Sequence, residues 1–340
     1  MFAITHPSQR RLDFARPQAP ARRGGWVRRE EAIMGTAISV ELFCDDLRHG
    51  ELAAAAVMEE MHRVDRAMSP HKPASELCRI NREAAHHAVS LSEEMARLVE
   101  RALRFSRLSG GAFDITYAAV GQLYDYRQRV RPNAQALAAA RECVGWQHLE
   151  FDPRARSLRF ARSGMRIDLG GFAKGHAVDN AAALLKKRGI AHAMVSAGGD
   201  SCVIGSRPER DGGRRPWSVA IRDPRQPDEV VAVLPLEDVS ISTSGDYERF
   251  FDDRVDGAIE RVHHVIDPAT GLSPRGVRSV TILAPDGLTS EALSKTVFVM
   301  GASRGLALIE SLAEVDAVVV DAAGALHASS GLLQGTAARQ

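Results

Sequence analysis

Apolar residues recur along the chain at two spacings, which predict a mixture of helices and strands. Apolar positions three or four residues apart predict one helix that ends at Met68, a second from Ser92 to about Leu108, and a third over 134–143. Ser92, with Glu94 just inside the pattern, is typical of a helix N-cap. Later in the chain, the same spacing predicts a helix over 290–300 and another soon after it.

Alternating or short continuous apolar runs predict the strands. These runs occupy residues 34–44, 148–151, 157–161, 193–196, 217–222, 230–234, 239–243, 277–283 and 317–320. The segment 69–81 is polar and broken by prolines, which predicts a loop. Strands and helices do not alternate regularly, so the pattern predicts an α+β fold with mixed, largely antiparallel sheets and packed helices.

One stretch between a predicted strand and a predicted helix, Ile167–Asp179, combines an acid, three glycines and a lysine. The run of Leu158–Phe160, continued by Met165 and Ile167, predicts a strand before it. Glycines at a strand-to-helix turn let a ligand approach the backbone, and the amides of a new helix favour an anion. Lys174 adds positive charge and Asp168 adds an acceptor, which together suggest a nucleotide or phosphate ester. The alternative is a glycine-rich turn with a surface lysine.

The net charge and the amino-acid composition of the chain limit the classes of partner and of metal or disulfide site that we expect. A net charge of +1 and an aromatic content of 5% give no reason to expect a nucleic-acid partner. Only five of the 44 cationic side chains are lysines, so a lysine inside a glycine-rich motif stands out. The four cysteines are scattered, which predicts buried free thiols rather than zinc or disulfides.

The first thirty residues are rich in arginine, proline and glycine. They predict a disordered basic leader over 1–30, followed by one domain over 31–335. No apolar signal-peptide core follows the arginines, and no run of 18 apolar residues occurs. We therefore expect a cytoplasmic protein without stable membrane insertion.

Five glycine-rich or acidic loops, including the central stretch, carry hydroxyls, carboxylates and histidines, and five such loops suggest a shared pocket. Their motifs, in chain order, are MGTAISVELF, MSPHKPASELCRIN, GGAFDITY, IDLGGFAKGHAVD, SAGGD, TSGDYERFF, HHVIDPATG and SEALSKTVFVMG. Over about residues 30 to 330 this series resembles the FAD:protein FMN transferases, the ApbE flavin-transferase family.

The resemblance implies an enzyme that binds FAD as a substrate and uses a divalent metal, usually Mg²⁺. It would attach FMN through its phosphate to a threonine or serine of a partner flavoprotein and release AMP. By position, the resemblance implies flavin-nucleotide contacts from Met34, His71, Ala112, Phe113, Asp114, Asp168, Lys174, His264 and Val265. It implies catalytic roles for His264, Asp168 and Lys174, with His264 as the base. Gly171, through its carbonyl, Glu291 and Ser294 would hold the metal.

The sequence departs from the family pattern at three places. His71 replaces a tyrosine that usually faces the flavin, and Asp114 is followed by Ile-Thr where the family has Pro-Thr. The family's two metal ligands, an aspartate and a threonine four residues apart, become Glu291 and Lys295. A protonated lysine cannot ligate a metal, so we expect an atypical metal site and weaker metal dependence.

Several alternatives remain open from the residues alone. Asp114 could cap a turn, Asp200 and Asp246 could hold loops together, and one histidine of the His263–His264 pair could be structural. Met34 and Trp217 could be ordinary core residues. The functional alternatives are an FAD pyrophosphatase that yields FMN and AMP, and a non-catalytic FAD-binding protein.

Overall fold

The computed structural model describes residues 24–209, 211–255 and 257–337. The strands are β1 (Gly25–Ile33), β2 (Thr36–Cys44), β3 (Val89–Ser90), β4 (Leu149–Asp152), β5 (Ser157–Phe160), β6 (His192–Ala197), β7 (Asp200–Ile204), β8 (Arg207–Pro208), β9 (Arg214–Arg215), β10 (Trp217–Arg222), β11 (Val230–Leu236), β12 (Ser240–Gly245), β13 (Phe250–Val255), β14 (Ala258–His263), β15 (Val277–Ala284), β16 (Asp316–Asp321) and β17 (Leu326–Ala328). The helices are α1 (Leu47–Met68), α2 (Glu76–Glu83), α3 (Glu93–Leu108), α4 (Ala118–Gly121), α5 (Ala134–Arg141), α6 (Ala173–Lys187), α7 (Gly287–Met300), α8 (Ala302–Glu310) and α9 (Ser330–Ala337).

An eight-stranded antiparallel sheet forms the centre of the fold, in the order β1-β2-β6-β7-β12-β15-β16-β17. Helix α6 packs between α1 and α7, and the three helices cover one face of this sheet. The hairpin β10–β11 covers part of the other face, where Trp217 is buried against Val203, Leu236 and Ile241. All five residues of β7 are buried because it is covered on both faces. The predicted α+β class is confirmed.

The predicted helices and strands form with small shifts at their ends. Ser92 caps α3 by accepting a hydrogen bond from the amide of Met95 at 3.1 Å, as predicted. Helix α7 begins at Gly287, three residues earlier than predicted, because Asp286 caps it through the amide of Thr289. Trp217 is a core residue, one of the alternatives that the sequence allowed.

Four sequence predictions are wrong in the described residues. The leader cannot extend to residue 30, because Gly25–Ile33 pairs with β2 along its whole length as a charged edge strand. Residues 1–23 lie outside the described part of the chain. The segment 69–81 contains helix α2, capped by Ser75. No strand forms at Met165 and Ile167. Of the four free cysteines only Cys202 is buried, and the others are partly exposed.

No helix in the described ranges is long and apolar enough to cross a membrane.

Candidate functional site

The central glycine-rich stretch lies in an extended loop that leads into α6. The side chain of Asn81 holds this loop, because its amide donates to the carbonyl of Ile167 at 2.9 Å and its oxygen accepts from the amide of Ile167 at 2.8 Å. Asp168 then accepts from the amide of Gly170 at 2.6 Å and from the hydroxyl of Tyr117 at 3.2 Å. Burial raises the pKa of Asp168. The carboxyl group is therefore fixed in orientation at the start of the helix.

Two of the three glycines of this stretch, Gly171 and Gly175, serve different purposes. A Cβ on Gly175 would lie 2.1 Å from the carbonyl oxygen of Gly287, so this glycine allows α6 and α7 to approach each other closely. A Cβ on Gly171 would lie 3.3 Å from the ring of Phe113 and 3.9 Å from Cγ of Lys295, at the wall of a cavity. The sequence interpretation, that the glycines admit a ligand, therefore does not explain Gly175.

Lys174 is the centre of a buried ion-pair cluster. Its ammonium pairs with the carboxylate of Asp200 at the start of β7, and lies 2.6 Å from Oε1 of Glu291 on α7. The two carboxylate side chains are 2% and 0% exposed. Burial lowers the pKa of Lys174, but the two carboxylates outweigh burial and leave it raised. The ammonium therefore contacts two protein carboxylates, and its contact with the nucleotide remains a prediction.

Lys295 completes this cluster from the next turn of α7. Its ammonium lies 3.6 Å from Oε1 of Glu291, which is four residues earlier on the same helix face, and its side chain is 18% exposed. Burial lowers the pKa of Lys295, opposed by the nearby Glu291 and Asp200. Two lysines and two carboxylates therefore balance in charge, and Lys295 is the member that lines the cavity.

Asp114 holds its own turn together. Its Oδ1 accepts from the amide and the hydroxyl of Thr116 at 2.8 and 2.7 Å, and its Oδ2 accepts from the amide of Trp146 at 2.8 Å. Burial raises the pKa of Asp114. Both oxygens have protein partners, which matches the turn-capping alternative, although the residue also borders the cavity.

The two adjacent histidines have different environments. His263 is 2% exposed, and its Nε2 lies 2.9 Å from the carbonyl oxygen of Pro274, as in a structural histidine. His264 lines the cavity, whereas His263 does not. The buried Nδ1 atoms of both histidines have no hydrogen-bond partner among the described residues. Burial, followed by the charge of Lys295, lowers the pKa of His264 to about 3. Its imidazole is therefore neutral near pH 7.

The cavity itself contains about 520 Å³ of empty space, which includes open solvent. Its walls are largely apolar, with a few polar groups at defined places. They comprise Ala112, Phe113, Asp114, Ile115, Tyr117, Asp168, Gly170, Gly171, His264, Val265, Ile266, Pro268, Lys295 and Val299. Such a combination suits a planar ring system attached to an anionic group.

Most of the predicted residues meet at this cavity, and five do not line it. Three of them are Lys174, Glu291 and Ser294. Ser294 is fully buried, and its hydroxyl lies 2.7 Å from that of Ser244. Met34 is half-buried against the core at a positive φ of 53°. His71 is exposed and lines a separate recess. Their predicted contacts with the flavin nucleotide or the metal therefore remain predictions.

Sequence reasoning did not single out two residues that shape the site. Tyr117 positions Asp168 and lines the cavity, and Asn81 holds the loop that carries it. Both residues end motifs of the family series, GGAFDITY and MSPHKPASELCRIN, but a polar residue at the end of a motif does not indicate its partner. Asp246, for which the sequence allowed a role in holding loops together, accepts two hydrogen bonds from Arg225 at 2.7 and 2.6 Å.

The sequence profile of the ApbE family matches residues 34–319, which is most of the chain. The chain belongs to the ApbE family. It is 30% identical to the FAD:protein FMN transferase of Treponema pallidum, over 90% of this chain and 87% of that protein. It is 32% identical to the FAD:protein FMN transferase of Klebsiella pneumoniae, over 80% of this chain and 77% of that protein.

Solved structures of the ApbE family have the same fold. The ApbE protein of Thermotoga maritima aligns with a TM-score of 0.81 at 31% identity, covering 91% of this chain and 99% of that one. The flavin transferase ApbE of Vibrio cholerae aligns with a TM-score of 0.79 at 28% identity, covering 92% and 99%. The family assignment made from the ordered motifs is thereby confirmed.

The residues predicted to hold a metal do not fit a divalent cation well. Oε1 of Glu291 faces two ammonium groups, and its Oε2 accepts from the amide of Gly175 at 2.7 Å. The hydroxyl of Ser294 donates to the backbone carbonyl of Glu291 at 2.8 Å. Within the described ranges, no three His, Cys, Asp or Glu side chains form a group that could hold a metal ion. The ammonium groups of Lys174 and Lys295 supply the positive charge beside Glu291.

Proposed function

We propose that this chain transfers the FMN half of FAD to a hydroxyl group of a partner protein and releases AMP. The observation that carries the proposal is the cavity, where apolar walls adjoin Asp168, His264 and Lys295 in a member of the ApbE family. The names of its relatives support the same reaction, because they are FAD:protein FMN transferases. We propose further that the acceptor is a threonine or serine of a flavoprotein.

The reaction is a phosphoryl transfer at the FMN phosphorus. The acceptor hydroxyl oxygen forms a new P–O bond, the bond to the bridging oxygen breaks, and AMP leaves with that electron pair. Such reactions depend on positioning and on charge neutralisation more than on covalent help from the enzyme. The protein must therefore supply a proton acceptor and positive charge beside the phosphates.

His264 is the proposed proton acceptor. Its lowered pKa keeps the imidazole neutral, so a ring nitrogen has a lone pair for the hydroxyl proton. A pKa of about 3 describes the site without substrate, where Lys295 disfavours a second positive charge. The anionic pyrophosphate of FAD would offset that charge and raise the proton affinity of the imidazole.

Asp168 and Lys174 have distinct proposed roles. Asp168 is fixed by Tyr117 and Gly170 at the cavity wall, so it can accept a hydrogen bond from the flavin nucleotide. Lys174 acts as a positioning residue, since its ammonium holds the buried carboxylates of Asp200 and Glu291.

A cytoplasmic location remains a prediction from the sequence.

The proposal is tested by incubating the full chain with FAD and a purified candidate acceptor, then weighing the acceptor and measuring AMP. Equal amounts of flavin-modified acceptor and AMP would support transfer, and FMN in place of FAD should give none. An acceptor in which the target threonine is replaced by valine is the matched control and should stay unmodified. AMP without modified acceptor would indicate hydrolysis, and FAD binding without AMP would indicate a non-catalytic protein.

A further inference from the structure

We propose that Lys295 replaces a divalent cation at this site, so that an ammonium group rather than Mg²⁺ neutralises the pyrophosphate. The proposal rests on the proposed function and concerns the same cavity. It predicts a flavin transferase whose activity depends little on added metal.

The first support is the place of the Lys295 side chain. The residue is on α7, one turn after Glu291, and its side chain lines the cavity beside His264 and Asp168. A Cβ on Gly171, whose carbonyl the family resemblance assigns to the metal, would lie 3.9 Å from Cγ of Lys295. The aliphatic part of the lysine therefore lies close to Gly171.

The second support is that the side-chain oxygens predicted to bind the metal already have partners within the protein. Oε1 of Glu291 lies 2.6 Å from the Lys174 ammonium and 3.6 Å from the Lys295 ammonium. Its Oε2 accepts from a backbone amide, and the Ser294 hydroxyl is shared between the hydroxyl of Ser244 and a backbone carbonyl. A divalent cation would have to displace these partners and would lie close to two like charges, which is unfavourable.

The third support is the hydrogen-bonding capacity of Lys295. The ammonium of Lys295 has three donors. Its only hydrogen bond to the described residues is the one to the Ser294 hydroxyl, at 3.4 Å. Oε1 of Glu291 is 3.6 Å from this ammonium, beyond hydrogen-bond distance, and it already pairs with Lys174 at 2.6 Å. The remaining donors of Lys295 can therefore serve phosphate oxygens that enter the cavity.

The test compares metal binding in the parent and in Lys295→Thr, which removes the charge and supplies a hydroxyl ligand. Isothermal titration with Mg²⁺ alone, and again with FAD bound, should show no saturable binding by the parent and saturable binding by the variant. Lys187→Thr removes a lysine from the exposed end of α6 and is the matched control, which should titrate like the parent. Identical isotherms for the parent and Lys295→Thr would overturn the proposal.

Transfer assays supply the second readout. After treatment with EDTA, the parent should keep its transfer activity, and Lys295→Met should lose about 10²–10³-fold, as expected when one stabilising charge is removed. A parent that loses transfer with EDTA and regains it with Mg²⁺ would contradict the proposal. Thermal melting of both variants checks their folding, and Lys295→Met keeps the length of the side chain if the threonine variant is unstable.

The two proposals fail in different ways. A parent that binds FAD but forms neither modified acceptor nor AMP, with or without Mg²⁺, would refute the transferase function. The Mg²⁺ isotherms would still decide whether Lys295 excludes the cation, because they require no turnover.

Discussion

Replacing Lys174 by methionine should destabilise the protein, because it leaves two carboxylates without their main cation. Methionine keeps most of the side-chain length and removes only the charge. Asp200 and Glu291 are 2% and 0% exposed, so water cannot take the place of the ammonium. Removing one partner of a buried ion pair costs about 3–5 kcal/mol. Lys174 is itself 25% exposed and Lys295 remains nearby, so we expect the lower end, about 3 kcal/mol.

The effect should depend on pH with a definite sign. Burial raises the pKa of Asp200, but Lys174 and Lys295 outweigh burial and leave it lowered. A carboxyl group whose pKa is lowered in the folded state stabilises the protein at pH values above the ordinary pKa of that group. This stability is lost as the pH falls. In Lys174→Met, burial dominates and the pKa rises, so protonation relieves the unpaired charge. The deficit relative to the parent should therefore shrink between about pH 7 and about pH 5.

Urea unfolding at both pH values measures this deficit. Lys187→Met, at an exposed position of α6, is the control and should change the free energy of unfolding by less than about 0.5 kcal/mol. The double variant Lys174→Met/Glu291→Gln should be more stable than Lys174→Met alone, because it removes a carboxylate that has lost its main partner. An unchanged urea midpoint in Lys174→Met would refute the view that this lysine holds the cluster together.

Three further predictions follow from single contacts. His264→Ala should lose about 10²–10⁴-fold in transfer with little change in FAD affinity, measured by flavin fluorescence; an equal loss from His263→Ala would reassign the base. Gly175→Ala should lower the free energy of unfolding by about 3 kcal/mol, because its Cβ would overlap the first carbonyl of α7. Gly276→Ala, which meets nothing within 4 Å, is its control, and equal melting temperatures for the two would contradict this explanation. Asp179→Ala should lower the free energy of unfolding by about 1–3 kcal/mol, because the carboxylate of Asp179 accepts hydrogen bonds from the first two amides of α7. An unchanged urea midpoint would show that water satisfies these amides in its place.

Local periodicity was enough to predict the elements that have one apolar face. Helices α1 and α3 show this because their buried residues recur at helical spacing, and the pattern needs no partner to be recognised. Strand β1 lacked such a signal. Its charged residues Arg28, Arg29, Glu30 and Glu31 are consistent with an edge strand, and only pairing with β2 identifies it as one.

Ordered motifs likewise predicted the family, and several residues within them line the cavity, among them Phe113, Asp168 and His264. What the sequence could not decide was the partner of each charged side chain. Lys174, Asp200 and Glu291 come from α6, β7 and α7, and they meet because a glycine pair allows the two helices to touch. Pairing over such separations depends on packing and desolvation, which only the tertiary structure supplies. For that reason a lysine that looked like a phosphate ligand proved to be the centre of an internal ion-pair cluster.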